Sequence, residues 1–297
     1  MIAELLLACA LSLQPQCEKF YDATVFADIA NTDYEGEIKQ MGDKVNIRTR
    51  ATITIRDYQK GGTLQIERPE SPNVVLNVDK AKYFNCICDN IDRMQSDIAL
   101  LDEWSTDASE QMKIVIDTDI LANVYADASS QNTGLTAGRK SSSYNMGVTG
   151  TPLVITSANV LDILIDAGSV ADEQNWPETG RWIVVPSWFR NLIMKSDLKN
   201  ASVSGDGVSI LRNGRVGQVD RWMMYVSNNY TAVTDGAYSC YNITFGHRSG
   251  LTFAAQMTEM DTLKAESTFG TLVRGLNVYG YEVTKPVSVG VIYARKG

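Results

Sequence analysis

The sequence predicts an α+β protein, and three observations predict it. Residues 43–57 alternate apolar and polar with period two, residues 73–133 contain neither Gly nor Pro and carry a helical stripe, and residues 240–297 return to strand patterning. The chain has 297 residues, 44% of them hydrophobic and 21% charged. That is globular composition, and it excludes disorder, collagen and a disulfide scaffold. The length allows about two domains of about 150 residues. A net charge of −8 argues against a general polyanion-binding surface. A lone histidine, His247, argues against His-based metal or proton-relay chemistry.

Residues 1–40 read as a leading arm, with sparse apolar residues (Phe20, Val25, Phe26, Ile29) and a polar end at 31–36. Its first ten residues imitate a secretion signal. No Lys or Arg precedes the apolar run and Glu4 interrupts it, so residues 2–13 read as a short amphipathic or buried helix. No segment approaches the roughly 18 apolar residues of a membrane span. The five cysteines read as reduced thiols, and the sequons at Asn200, Asn229 and Asn242 as chance matches.

Val45, Ile47, Thr49, Ala51, Ile53 and Ile55 alternate with Asn46, Arg48, Arg50, Thr52, Thr54 and Arg56. This is a half-buried strand, or two joined strands. Gly61-Gly62 makes a turn, Leu64 and Ile66 continue the alternation, and Val74, Leu76 and Val78 follow past Pro69 and Pro72. The result is a long β-hairpin over 41–78 with one apolar face. Burying Val45, Ile47, Ile53, Ile55, Leu64 and Ile66 is worth about 9–18 kcal/mol, so this face is covered either by its own chain or by a neighbour.

Ile98, Leu101, Trp104, Ala108, Met112, Val115 and Ala122 form the stripe of a helix running from about Leu100 to Ala128. Residues 129–150 read as a loop. Over 151–239, Thr156 or Ser157 caps a helix carrying Val160, Leu161, Leu164 and Ile165. Trp182–Val185 is a central strand, and Ser187 caps a helix with Trp188, Phe189, Leu192 and Ile193. The stretch 196–215 is a loop, and Val216 to Val226 holds two short strands. Leu251–Met257 and Leu272–Tyr279 are long strands joined by a bend at 266–270, and Val287–Tyr293 is the last strand.

No catalytic constellation has the right spacing, and no metal site or cofactor is implied. His247 lacks a nucleophile elbow. The pairs Asp117/Asp119 and Asp102/Glu103 read as solvated helix faces, and Asp117 and Asp119 point to different sides of the helix. Arg48, Arg50 and Arg56 form a basic edge on the hairpin, read either as edge protection or as partners for an acidic neighbour.

The order of parts resembles the major capsid proteins of tailed bacteriophages, with the Hong Kong 97-like fold. Local phrases agree: Tyr34–Ile38 with Gly42–Val45, Val78–Phe84 with Asp89–Asp97, Gly180–Pro186, and Gly214–Asp220 with Tyr225–Asn229. The resemblance implies an N-terminal arm (1–40), an extended loop (41–78) lying over an adjacent subunit, a peripheral domain with the spine helix (79–150 and 240–284) and an axial domain (151–239 and 285–297). It places inter-subunit contacts at Val45, Ile47, Arg48, Arg50, Ile53, Ile55, Arg56, Leu64 and Ile66, and a threefold contact at Glu266, Ser267, Thr268 and Phe269. The implied partners are other copies in hexamers and pentamers, a portal protein, a separate scaffolding protein and decoration proteins. The shell encloses double-stranded DNA in the virion after assembly in the host cytoplasm, and net negative charge lets that DNA slide past the wall. The family pattern often has Gly where this chain has Arg221, so no tight Asp-Gly turn is predicted there. Lys60 near the loop tip has no acceptor that would predict a crosslink. Two alternatives share some features: an encapsulin-like compartment with the same fold, and an α+β hydrolase using acidic residues.

Overall fold

The computed structural model describes residues 19–33, 44–51, 53–89, 100–196, 217–265 and 269–297. In chain order the elements are α1 (Phe26–Ile29), β1 (Lys44–Arg48), β2 (Asn73–Asn77), β3 (Lys80–Asp89), α2 (Leu100–Asn123), β4 (Leu153–Ile155), α3 (Val160–Glu173), β5 (Arg181–Val185), α4 (Ser187–Lys195), β6 (Gln218–Val219), β7 (Trp222–Val226), β8 (Val233–Asp235), β9 (Tyr238–His247), β10 (Leu251–Lys264), β11 (Gly270–Val283) and β12 (Val289–Lys296).

A seven-stranded sheet in the order β4-β12-β9-β5-β7-β6, with β8 added on β9, organises one half of the molecule. β5 is buried along its whole length and lies between β9 and β7, as its unbroken apolar run predicts. Its alternate side chains enter two cores. Ile183 and Val185 meet α3, α4, Trp222 and Phe245 on one face. Trp182 and Val184 meet α2, the arm and β10–β11 on the other. β9 belongs to this sheet, so the sequence boundary at 240 falls inside it. Ala137 and Met146, from the stretch read as a loop, also join its core.

The caps differ from the sequence reading. Asn159, not Thr156 or Ser157, takes the cap position of α3, and its side-chain carbonyl accepts from the Thr156 amide at 2.7 Å. Pro186 takes the cap position of α4, with Ser187 as its first residue. β6 and β7 are joined tightly through Asp220 and Arg221, and Asp220 itself adopts φ 54°. Asp tolerates the left-handed region, so no Gly is needed. Arg221 is free to bond Asp172 at 2.6 Å across the turn.

The second half is a three-stranded antiparallel ribbon, β10-β11-β3, with fourteen residues in each of β10 and β11. Helix α2 ends in a 3-10 turn at Val124–Asp127. Among the described residues its buried apolar side chains are Ile116, Ile120, Leu121 and, in the 3-10 turn, Val124, whereas Trp104 and Val115 are exposed. The stripe is therefore rotated from the sequence reading, because only the C-terminal half of α2 is packed into the core with Trp182 and Tyr279.

β1 pairs with β2, and this two-stranded base sits on the ribbon. Val45, Ile47, Leu76 and Val78 pack against Ala254 and Val278. Contact is close at Gly280, where an added Cβ would lie 2.1 Å from the Asn77 carbonyl oxygen. Gly280→Ala is expected to lift the base off β11 and cost about 1–3 kcal/mol. Hydrogen exchange would show faster exchange in Lys44–Arg48 and Asn73–Asn77 than anywhere in β5.

Candidate assembly surfaces

Beyond the base the hairpin keeps one register to its tip. The Thr49 amide donates to the Pro72 carbonyl at 3.0 Å, and Thr54 donates to Glu67 at 3.3 Å. Arg56 bonds Gln65, and the Gly62 amide closes the turn onto Gln59 at 3.0 Å, with Gly61 at φ 84°. Each step forward on one limb is matched by one step back on the other, starting from the pair Lys44 and Asn77. The predicted turn at Gly61-Gly62 therefore forms. Neither one strand nor two joined strands extend over the whole alternating stretch, because the ladder ends at Arg48 and Asn73. Pro72 stands opposite Thr49, Pro69 follows on the same limb, and neither proline has an N–H to donate. Side chains tie the limbs together from there on.

This register puts Val45, Ile47, Ile53 and Ile55 on one face with Leu76, Ile66 and Leu64. The face is divided in two. Val45 (5% exposed) and Ile47 (7%) are covered by the same chain, which corrects the expectation that they wait for a neighbour. Ile53, Leu64, Ile55 (90%) and Ile66 (91%) are bare. Covering those four is worth about 6–12 kcal/mol before the cost of association. Arg48, Arg50 and Arg56 are exposed along the same hairpin.

The ribbon carries the second bare surface. Phe269, beside the bend between β10 and β11, is 92% exposed, and Tyr83, Ile87 and Leu263 extend the apolar area. Glu266, Ser267 and Thr268 lie outside the described residues. Periodicity does not single out Tyr83 and Ile87, because β3 reads equally well as part of a run into a helix.

The parts are tied together by carboxylates, of which Asp117 and Asp119 read as solvated from sequence. Asp117 is fully buried. It accepts from the amides of Val25 (3.0 Å) and Phe26 (2.9 Å) and from the Asn229 side-chain amide (2.7 Å), joining arm, α2 and the loop after β7. Burial raises its carboxyl above the ordinary range, and the hydrogen bonds from Asn229, Val25 and Phe26 oppose that rise. Asn229 is thus a structural ligand of Asp117 and no glycan acceptor. Asp119 faces elsewhere and bonds Lys80 (2.7 Å) and Tyr279 (3.0 Å), joining α2 to β3 and β11. Asp172 binds Arg181 at 2.8 Å and Arg221 at 2.6 Å. Burial raises its carboxyl, but the two guanidinium groups hold it below the usual range.

His247 has a turn-locking part. Its Nε2 lies 3.0 Å from the Thr179 carbonyl and so carries the proton, while Nδ1 accepts from the Ser249 amide. Burial lowers its pKa, in keeping with this neutral tautomer. Among the described residues no group of His, Cys, Asp and Glu is arranged to hold a metal ion, and no helix is long and apolar enough to cross a membrane.

A folded body that holds out a bare-faced hairpin and a bare-tipped ribbon has two apolar surfaces suited to contact with other chains. A family model described as phage capsid protein matches residues 90–292. The chain belongs to that phage capsid protein family. Among curated proteins no relative matches it. Its fold is similar to that of the Mycobacterium phage Che8 chain, with TM-score 0.75, 24% identity, and 93% of each chain covered. It is similar also to the capsid of cyanophage P-SCSP1u, with TM-score 0.74, 17% identity, and 96% of this chain and 92% of that chain covered. A chain from the capsid of an empty GTA particle aligns with TM-score 0.62 at 10% identity, covering 95% of this chain and all of that one.

Proposed function

We propose that this phage capsid protein is the major capsid protein of a tailed phage, a Hong Kong 97-like subunit that builds the icosahedral head around double-stranded DNA. The observation that carries this reading is the divided face of the hairpin: its base is seated in cis, and its distal four apolar residues have no cover. In this reading residues 41–78 are the extended loop laid over the adjacent copy. The ribbon and α2 form the peripheral domain, and Phe269 meets its equivalents at a local threefold. The seven-stranded sheet with α3 and α4 forms the axial domain around fivefold and quasi-sixfold centres, and it takes in β9. Copies gather as hexamers and pentamers in the host cytoplasm with a separate scaffolding protein, and the shell receives a portal and decoration proteins. Its role is structural, and the net charge of −8 suits a wall that DNA slides past without sequence-specific binding.

Electron microscopy of the expressed protein is expected to show rings or closed shells. Discrete monomers at high concentration, even beside a scaffold, would sink the proposal. A sharper test replaces residues 51–70 by a short Gly-containing turn and leaves the base intact. The expected product is a monomer that melts like the parent and forms no particles. Global unfolding would show that the limb packs on its own body.

A further inference from the structure

We propose that a cavity at the foot of the hairpin is a socket for a carboxylate-bearing segment of a second copy of this chain. The inference rests on the shell reading, since it needs a neighbour beside the hairpin. The cavity, of about 430 Å³, lies where three parts meet: the hairpin beyond β1, the arm at Asn31, and the open end of the ribbon at Thr252. The arm is fastened there by the Asn31 amide to the Leu251 carbonyl (2.8 Å) and the Phe253 amide to the Asn31 carbonyl (3.0 Å), so the wall is built, not incidental.

Three cations line it, Arg48, Arg50 and Lys285, and among the described residues no carboxylate does. All three are exposed, and among the described residues none of them has an acidic partner within ion-pair distance. Elsewhere Lys80 pairs with Asp119, Arg181 and Arg221 with Asp172, and Arg274 with Asp261, whereas here three cations share one hollow. Like charges gathered around one hollow repel, and an oxyanion group placed among them removes that repulsion. The occupant follows from the charge of the chain. With 35 acidic and 27 basic residues, every copy presents surplus carboxylate to its neighbours. The socket also adjoins Ile47 and opens at the root of the bare hairpin limb, so a copy that covers the limb stands next to it. Apolar cover supplies the area of contact, and the socket fixes which way round the two copies meet.

The test mixes wild-type subunits labelled with nitrogen-14 and nitrogen-15 before assembly and confirms particles by electron microscopy. Carbodiimide treatment then joins Lys285 to any carboxylate in direct contact, and the joined peptides are read by mass spectrometry. The expected result is Lys285 linked to Asp or Glu in mixed-isotope pairs, in particles and not in free subunits. Links within one isotope only, for instance to Glu35 or Glu37 of the same chain, overturn the proposal. Intact particles whose other lysines link while Lys285 does not also overturn it. As a second arm, R48E/R50E is expected to keep the parental melting temperature and to lower particle yield at least tenfold. An unchanged yield speaks against the socket. If wild-type subunits form no particles at all, it is the shell reading that fails.

Discussion

Ile55→Asp combined with Ile66→Asp is expected to abolish particle formation and leave the isolated subunit as stable as the parent. Both side chains are about nine-tenths exposed, so the folded subunit loses almost no packing, and a surface change of this kind moves stability by about 0.5 kcal/mol or less. In an assembled shell the same two residues would be desolvated, and a buried unpaired carboxylate costs several kcal/mol at each contact. Repeated at every copy, that penalty exceeds what any weak contact returns. Sedimentation should show only monomer, with an unchanged melting curve. The paired change Val45→Asp with Ile47→Asp is the counterpart. Those residues are buried in cis, so the melting temperature itself should fall. If the two pairs behave alike, the divided face is wrong.

Asp117→Ala is expected to cost about 3–5 kcal/mol of stability, far more than an ordinary alanine substitution of a helix carboxylate. The carboxylate accepts from two backbone amides and from Asn229 in a fully buried place; alanine leaves the Val25 and Phe26 amides without that acceptor and the Asn229 amide with only its longer bond to the Ala23 carbonyl at 3.3 Å. Asp117→Asn keeps an acceptor oxygen and should cost about half as much. Chemical denaturation measures both. Hydrogen exchange should localise the damage to Val25 and Phe26, since their two amides lose the acceptor on α2 while the fastening at Asn31 remains. An Asp117→Ala variant as stable as Asp119→Ala would show that the buried node carries no special weight.

What was legible in the sequence is what local period and local composition encode. The alternation from Val45 to Ile55 identified an apolar face, and the unbroken Trp182–Val185 run identified the central strand. Neither pattern states what covers a face, so the division after Ile47 was hidden. It depends on where Ala254 and Val278 end beneath the hairpin, two hundred residues away in the chain. The stripe on α2 was assigned along the whole helix, but only the half near Ile116 and Ile120 is packed, and packing set the phase. Asp117 was missed because a carboxylate on a helix ordinarily faces water. Its partner Asn229 stood in plain view in Ser227-Asn228-Asn229, yet nothing in that phrase points to position 117. The tip of the ribbon was predicted from the bend at Phe269, but the apolar patch on β3 was not, since Tyr83 and Ile87 follow a run without turn residues.

The hairpin's single register from base to tip has a mechanical consequence. The limb runs sixteen residue steps from Lys44, which pairs with Asn77 at the seat, to Lys60, and an extended limb of that length reaches about 53 Å. A tilt of about 10° at the seat on Gly280 therefore sweeps the far end through about 9 Å. In the proposed shell such a boom would let identical bodies meet at different spacings and curvatures, with the adjustment made at the hairpin's seat and not in the two larger cores.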